Sequence, residues 1–222
     1  ADKQIGYFGL SQEANPALGM RAIRICLTRP EIFRTQLRAL YRASIYGRLG
    51  IMFPMIASVW EVQEIKKCCR EVREELGREG VAYNPDILLG IMVETPAAVM
   101  IADQLAKEVD FFSIGTNDLT QYTLAVDRQS GADMERFYDA HHTAVLRMIA
   151  HVARCARKAG IFAGICGELA NDLSMTETFL AMGIEELSVS PQVILPLREK
   201  IRSIDLDAAR RVLEENGTLT SF

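Results

Sequence analysis

The chain has 222 residues, of which 49% are hydrophobic, and a formal net charge of -4. This length supports one domain with a single substantial core. The charges include no basic block of the kind that follows a phosphate backbone, so nucleic acid is not expected as a partner. No apolar run approaches the roughly 20 residues that cross a bilayer, and the first residues lack a signal-peptide pattern. We therefore expect a cytoplasmic protein with no membrane insertion.

The first predicted element is a helix from Pro30 to about Ser44, with apolar residues on one face. The strand candidate Leu49–Ile56 follows it. Ser58 and Glu61 have the spacing of a capping box, which predicts the start of a second helix. The apolar face of that helix continues to Gly77, where we expect the helix to end.

Further helix starts follow along the chain. Thr95 and Pro96 form an N-cap residue followed by a proline at the first helical position. Another helix is predicted from about Thr143 to Gly160. Ser174 and Glu177 repeat the capping-box spacing and predict one more helix.

Five short, nearly continuous apolar runs are the strand candidates. Because they lack strict alternation, we expect parallel strands that are covered on both faces. Their alternation with helices is typical of repeated βα units. The candidates are Leu49–Ile56, Ile87–Val93, Asp110–Gly115, Ile161–Ile165 and Glu186–Ser190.

The number of strands leaves two α/β folds open. Five βα units are too few to close an eight-stranded barrel. The chain is either an open doubly wound sheet or a (β/α)8 TIM barrel without its first three strands. We favour the truncated barrel, because only a short segment precedes the turn-rich stretch Ser11–Gly19. Residues 1–222 would then form one partial barrel domain.

Polar residues follow three of the five strand candidates. Ligand sites of parallel α/β folds lie at the carboxyl ends of the strands. Glu94 and Asp118 follow successive strands, where both carboxylates could hold one magnesium ion beside Asn117. The alternative is that each carboxylate stabilises the start of its own helix. Their occurrence together favours the metal site.

Cys166 follows the fourth strand candidate and lies between glycines at 164 and 167, where a ligand can approach closely. A thiol there could exchange a proton, although a lone cysteine is otherwise a small buried hydrophobe. The other cysteines are predicted to be free buried thiols, because no pair has C-x-x-C spacing. They are Cys26, Cys68, Cys69 and Cys155.

Two arginines and a long connection complete the candidate site. Arg21 and Arg128 lie in predicted loops, where a guanidinium can bind phosphate or carboxylate with paired hydrogen bonds. The connection from Asp118 to Thr143 exceeds an ordinary βα loop, so we expect it to fold over the site. His141 and His142 are interpreted as loop or helix N-terminal residues, not as a zinc site.

Four segments of the sequence resemble the C-terminal domain of Enzyme I, the phosphoenolpyruvate-protein phosphotransferase of the bacterial sugar phosphotransferase system. The longest is the fourteen-residue segment GTNDLTQYTLAVDR from Gly115 to Arg128. The similarity extends over almost the whole chain, to about Leu206. The other three segments are NPALGMRAIR at 15–24, VETPAA at 93–98 and CGELA at 166–170.

The resemblance implies a (β/α)8 barrel that binds phosphoenolpyruvate and Mg2+. The phosphoryl group would pass to a histidine on a separate N-terminal domain, which in turn serves a small phosphocarrier protein. The resemblance also implies a homodimer that functions in sugar transport. Glu94 and Asp118 would be the metal ligands.

The resemblance further assigns the substrate-binding residues. Asn117 would contact the phosphate beside Asp118, and Arg21 and Arg128 would bind the anionic substrate. Cys166 would give a proton to the enolate carbon as pyruvate forms. The transfer itself needs positioning and positive charge more than covalent chemistry, which agrees with these residue types.

The sequence also departs from the family pattern. The phosphohistidine domain and the first barrel strands, with their substrate-binding arginines, are absent. Ala1–Lys3 would correspond to the tail of a G-G-D-K segment after the third strand. We therefore expect a longer natural protein, and a chain that alone does not transfer phosphoryl groups. The segment Tyr138–Thr143 lacks the prolines that are common there in the family.

Three other functions remain open. The barrel of pyruvate phosphate dikinase or phosphoenolpyruvate synthase shares the Glu, Asn-Asp and Cys-Gly-Glu positions, but TQYTLAVDR favours Enzyme I. A noncatalytic dimerisation or regulatory module would explain the missing strands, whereas the intact Glu94, Asp118 and Cys166 argue against it. A magnesium-dependent lyase acting on pyruvate-type substrates does not account for Cys166 and Arg128.

Overall fold

The structure is a computed structural model that describes residues 13–129 and 131–217. The Ala1–Lys3 correspondence therefore lies outside the described residues. One parallel sheet has the strand order β1-β2-β3-β4-β5. The strands are β1 (Gly50–Phe53), β2 (Leu88–Val93), β3 (Phe111–Gly115), β4 (Phe162–Cys166) and β5 (Glu186–Leu187).

Helices connect the strands and follow them along the chain. Short 3-10 turns occur at Pro16–Leu18, Ser44–Tyr46, Glu168–Asn171 and Pro191–Val193. The helices before β3 are α1 (Ile23–Thr28), α2 (Pro30–Ala43), α3 (Val59–Arg78), α4 (Pro96–Met100) and α5 (Ala102–Leu105). Those after it are α6 (Thr116–Leu124), α7 (Ala132–Glu135), α8 (Thr143–Ala159), α9 (Thr176–Met182), α10 (Ile194–Ser203) and α11 (Leu206–Asn216).

The strand order identifies the fold class. In a doubly wound sheet the order reverses at a switch point, whereas here each strand pairs with the next one in the sequence. Sequential parallel strands separated by helices are the arrangement of a (β/α)8 barrel. The described sheet is open, with β1 and β5 as its edges. The predicted five βα units of a truncated barrel are therefore present.

The core lies between the sheet and the helices. Phe112 and Ile114 of β3 are fully buried towards the helical layer. On the other face, Phe111 stacks on Phe162 of β4 with ring centroids 5.0 Å apart. A Cβ at Gly90 would come within 2.4 Å of the Phe111 ring, so only glycine leaves room for this aromatic pair.

Of the three predicted helix N-caps, two are confirmed and one is wrong. Ser58 and Glu61 form the capping box of α3, although that helix continues to Arg78. The Thr95 hydroxyl accepts a hydrogen bond from the Ala98 N–H at the start of α4. Ser174 does not cap α9, which begins at Thr176 after Met175.

The error at Ser174 has a local cause. Both the Ser174 N–H and its hydroxyl donate to Asp172 Oδ1, at 2.9 and 2.6 Å. The serine oxygen therefore lies in a turn with Asp172 rather than over the first turn of the helix. Among the described residues, no helix combines the length and the apolar character needed to cross a membrane.

Candidate active site

The register of the strands brings their polar ends together. Val93 pairs with Ile114, and Gly115 pairs with Cys166, so β2, β3 and β4 end at the same edge. The residues that follow are Glu94 after β2 and Thr116 after β3, where α6 begins at once. The Thr116 hydroxyl donates to the Cys166 carbonyl at 3.0 Å and ties the start of α6 to the end of β4.

Glu94 is an unusual carboxylate because it is buried: only 4% of the residue is exposed. Its Oε1 accepts a hydrogen bond of 2.6 Å from the Met55 N–H. Burial and the nearby Asp118 carboxylate raise the pKa of Glu94 to about 7. The Met55 hydrogen bond and the charges of Arg21 and Arg128 oppose this rise in pKa.

Asp118 lies between the two predicted arginines. Its Oδ1 is 3.1 Å from Arg21 Nη1, and its Oδ2 is 3.8 Å from Arg128 Nη1. The Asp118 side chain is 13% exposed. Although Arg21 is close, Asp118 Oδ1 is buried and accepts no hydrogen bond of acceptable geometry. A buried polar atom without a hydrogen bond is uncommon in folded proteins and calls for an explanation such as a bound ion or ligand.

Arg21 is fixed by a contact that the sequence did not predict. Its Nη1 donates to the Tyr122 hydroxyl at 2.9 Å, and that hydroxyl donates to the Ala17 carbonyl at 2.5 Å. Tyr122 lies on α6, one helical turn after Asp118. One helix therefore supplies both the carboxylate and the hydroxyl that hold the guanidinium. The only sequence signal was the position of Tyr122 within the fourteen-residue segment.

The loop after α6 returns Arg128 to the site. Helix α6 is followed by the C-cap residue Ala125, which has a left-handed conformation with φ 54°. Buried Gln121 accepts a hydrogen bond of 3.1 Å from the Arg128 N–H through its Oε1. The backbone of Arg128 is thereby attached to the same helix that contains Asp118.

Asn117 is held from two sides. Its side-chain Oδ1 accepts a hydrogen bond of 3.0 Å from the Glu168 N–H. Its backbone carbonyl accepts one of 3.1 Å from the Tyr138 hydroxyl. The amide nitrogen is thus the part of the side chain that can donate to an anion. Gly167, with φ 103°, allows this contact, because a Cβ there would lie 3.0 Å from Asn117 Oδ1.

The connection before α8 makes two hydrogen-bonding contacts with the segments that follow β3 and β4. Tyr138 is bonded to the Asn117 carbonyl, and His141 Nε2 lies 2.7 Å from Asp172 Oδ2 beyond β4. His142 caps α8 by accepting the Ala144 N–H at 3.2 Å. The interpretation of the histidines as loop and helix N-terminal residues agrees with these contacts. That the connection covers the site stays a prediction, and Tyr138 is its contact with a predicted site residue.

Cys166 lies at the end of β4 in a half-buried position. Its Sγ is 3.5 Å from the Ser113 hydroxyl and 3.5 Å from the Ile114 carbonyl. Burial raises the pKa of the thiol, and so do the carboxylates of Glu94, Glu186 and Asp118; the Ser113 hydrogen bond lowers it. The thiol is therefore protonated near neutral pH, as a proton donor must be.

The two carboxylates fit a hard divalent cation. A Cβ at Gly115 would lie 2.8 Å from Glu94 Oε2, so the glycine leaves the space that this carboxylate occupies. Asp118 supplies a buried oxygen that accepts no hydrogen bond, and its charge raises the pKa of Glu94. The described residues include no cluster of three or more metal-binding side chains. Two carboxylates suffice for magnesium, which keeps waters and substrate oxygens as its other ligands.

This fold and this site define a class of protein. A TIM-barrel-like α/β domain that places two arginines, an asparagine amide and two carboxylates at its strand ends is suited to a small anionic ligand. The chain belongs to the family described as the PEP-binding domain of PEP-utilising enzymes, which it matches over residues 1–206.

Curated relatives refine that class. The phosphoenolpyruvate-protein phosphotransferase of Geobacillus stearothermophilus is 49% identical over 213 residues, which are 96% of this chain. The protein of the same name from Bacillus subtilis (strain 168) is 49% identical over 214 residues. The chain spans 37% of the length of each of these two relatives.

Two solved structures share the fold. A citrate lyase from Burkholderia xenovorans LB400 covers 81% of this chain and 60% of its own, with TM-score 0.57 and 20% identity. The match to malate synthase from Haloferax volcanii covers 80% of this chain and 53% of the malate synthase chain, with TM-score 0.59 and 12% identity. At these identities the likeness concerns the fold alone. Both are TIM-barrel-like, and the predicted fold class is confirmed.

Proposed function

We propose that this chain is the phosphoenolpyruvate-binding part of a phosphoenolpyruvate-protein phosphotransferase. The supporting observation is the Asp118 cluster: a carboxylate between Arg21 and Arg128 whose side chain is 13% exposed, with one buried oxygen that accepts no hydrogen bond. The names of the relatives favour this function over pyruvate phosphate dikinase or a noncatalytic module. Residues 1–222 form a partial barrel, and the phosphohistidine domain belongs to a longer protein.

Substrate binding follows from the charges of the site. Arg21 and Arg128 bind the phosphate and carboxylate of phosphoenolpyruvate, and the Asn117 amide donates to the phosphate. Glu94 and Asp118 hold Mg2+, which when bound supplies positive charge to the phosphate oxygens. The hydroxyl of Tyr122 keeps Arg21 in place while the substrate enters.

Phosphoryl transfer and pyruvate formation use opposite ends of the substrate. The phosphoryl group passes to a histidine of the N-terminal domain, which then serves a small phosphocarrier protein. The remaining enolate accepts the Cys166 proton at its methylene carbon and leaves as pyruvate. The arginines and the cysteine therefore act on the two ends of one small molecule.

The setting of the whole protein is also part of the proposal. The longer enzyme acts in sugar uptake, in the cytoplasm, as a homodimer. The phosphohistidine domain and the first barrel strands with their substrate-binding arginines are not part of these 222 residues. We therefore expect this chain alone to bind substrate weakly and not to become phosphorylated.

A chimaeric enzyme tests the proposal directly. In it, this chain replaces the matching segment of the Geobacillus stearothermophilus relative. We expect magnesium-dependent release of pyruvate from phosphoenolpyruvate in the presence of the phosphocarrier protein. In Cys166→Ala, phosphoenolpyruvate should still bind while pyruvate formation falls at least about 100-fold. Normal turnover in that variant would refute the proton-donor role.

A further inference from the structure

Ser113 is a polar neighbour of the Cys166 thiol at the end of the sheet. Its hydroxyl donates to Cys166 Sγ at 3.5 Å, and the thiol donates to the Ile114 carbonyl at 3.5 Å. Both distances are within the range of hydrogen bonds to sulfur. The sulfur therefore contacts both a donor and an acceptor, and both belong to consecutive residues near the end of β3.

Two glycines create this contact. Ser113 pairs directly with Gly164, and Cys166 pairs directly with Gly115. The serine and the cysteine are thus diagonal neighbours on one face of the sheet, and across the β3–β4 pair each has a glycine directly opposite it.

Neither glycine could be replaced without disturbing a charged neighbour. A Cβ at Gly164 would lie 3.0 Å from Glu186 Cβ, and a Cβ at Gly115 would lie 2.8 Å from Glu94 Oε2. The strand ends thus leave room for both carboxylates and for the hydroxyl–thiol contact.

We propose that Ser113 is the positioning residue for Cys166, an inference that rests on the proposed function of that thiol. Before the reaction, Ser113 and the Ile114 carbonyl hold the thiol between them. When the S–H bond breaks, the proton forms a C–H bond with the electron pair of the enolate methylene carbon. The sulfur keeps the electron pair of the broken bond as a thiolate, and the Ser113 hydroxyl donates to that thiolate.

The charges around Cys166 explain why such a donor is needed. Glu94, which follows β2, Asp118 of α6 and Glu186 of β5 are near the thiol, and each destabilises a thiolate. Burial acts in the same direction. Ser113 is the side chain that donates to the sulfur, and it lowers the pKa that these groups raise. Its hydroxyl makes proton release possible without adding a charge to the substrate site.

Alkylation of the 222-residue chain by iodoacetamide tests the contact itself. The rate at Cys166 is followed from pH 6 to pH 10 by mass spectrometry of its peptide. In Ser113→Ala we expect the rate at pH 8 to fall about threefold to tenfold, because less thiolate forms. Ser113→Thr keeps the hydroxyl and should restore the rate to within about twofold.

Thr123→Ala is the matched control. It removes another hydroxyl-to-sulfur contact, the 3.3 Å approach of Thr123 Oγ1 to Met148 Sδ, and should leave the Cys166 profile unchanged. A Ser113→Ala profile identical to that of the original chain would overturn the inference. So would a folded Ser113→Thr variant, verified by circular dichroism, that alkylates as slowly as Ser113→Ala.

The chimaeric enzyme separates this inference from the proposed function. There Ser113→Ala should lower kcat for pyruvate formation about tenfold and leave KM for phosphoenolpyruvate unchanged. An unchanged kcat would contradict the positioning role. If Cys166→Ala released pyruvate normally, the proposed function of the thiol would fail, while the alkylation result would still decide whether Ser113 contacts it.

Discussion

Two ionic clusters of this chain differ in how their charges are satisfied. On the outer surface, Arg34 and Arg38 of α2 pair with Glu71, Glu75 and Glu79 of α3, and each carboxylate has an arginine partner. At the strand ends, Asp118 has two arginines nearby and an oxygen without a hydrogen bond. The outer cluster is complete in itself, whereas the inner one leaves groups available for a ligand.

Burial makes this difference important. The outer pairs are exposed to water and salt, so they stabilise the fold little. In the inner cluster, burial and Asp118 raise the pKa of Glu94 to about 7. Holding both carboxylates at this edge costs stability, and a bound cation would offset that cost. A cluster that is costly without a ligand indicates a functional site.

The largest effect is expected from Asp118→Ala. This change removes a metal ligand and leaves Arg21 and Arg128 without their shared carboxylate. In the chimaeric enzyme we expect phosphoenolpyruvate affinity in the presence of Mg2+ to fall at least about 100-fold by calorimetry. Glu71→Ala, in the outer cluster, is the control and should bind as tightly as the parent. Equal phosphoenolpyruvate affinity in both variants would show that Asp118 does not contribute to the site.

Glu94→Gln should stabilise the chain at high pH. Because the folded pKa lies above the ordinary value of 4.5, the Glu94 contribution is fully present below pH 4.5 and is lost as pH rises through about 7. Gln keeps an oxygen for the Met55 N–H but has no charge. In urea unfolding without metal we expect a gain of up to about 3 kcal/mol at pH 8 and little change at pH 4.

The pH dependence makes this prediction specific. A gain of equal size at both pH values would mean that packing, not ionisation, was altered. The same variant should lose the stabilisation that the parent chain receives from millimolar Mg2+ at pH 8.

A smaller effect is expected from Tyr122→Phe. The change removes the hydroxyl that accepts from Arg21 and donates to the Ala17 carbonyl. We expect phosphoenolpyruvate affinity in the chimaeric enzyme to fall threefold to tenfold, about 1 kcal/mol for one hydrogen bond. Tyr46→Phe, at an 87% exposed position, serves as the control. An effect of equal size in both variants would show that the Arg21 contact is not responsible.

The smallest effect belongs to the outer cluster. Arg38→Ala removes a 2.5 Å ion pair with Glu79 on an exposed surface. We expect a small loss of stability in low salt that disappears in 1 M NaCl, where the Debye length is only about 3 Å and surface charge interactions are screened. Urea midpoints at the two salt concentrations measure it. A large, salt-independent loss would contradict the distinction between the clusters.

The sequence predicted the features that repeat along the chain. Parallel strands buried on both faces appear as apolar runs, and the carboxyl end of each strand can be identified once the run is known. For that reason Glu94, Asp118 and Cys166 were identified as candidates before their geometry was known. The metal and substrate roles given to them remain proposals.

The contacts that the sequence did not predict join distant segments. Tyr122 and Ala17 are 105 residues apart, and Ser113 and Cys166 are 53 apart. No local pattern reports such a pair, because register and helix rotation determine it. Local patterns also failed at Ser174. Asp172, two residues earlier, accepts the Ser174 N–H that the Glu177 side chain would accept in a capping box.

The most direct test is the magnesium dependence of phosphoenolpyruvate binding. Phosphoenolpyruvate is titrated into the chimaeric enzyme by calorimetry at pH 8, once with 5 mM Mg2+ and once with excess EDTA. If Glu94 and Asp118 hold the cation that the substrate phosphate needs, affinity should fall at least about 100-fold in EDTA. Equal affinity under both conditions would contradict the role given to the two carboxylates.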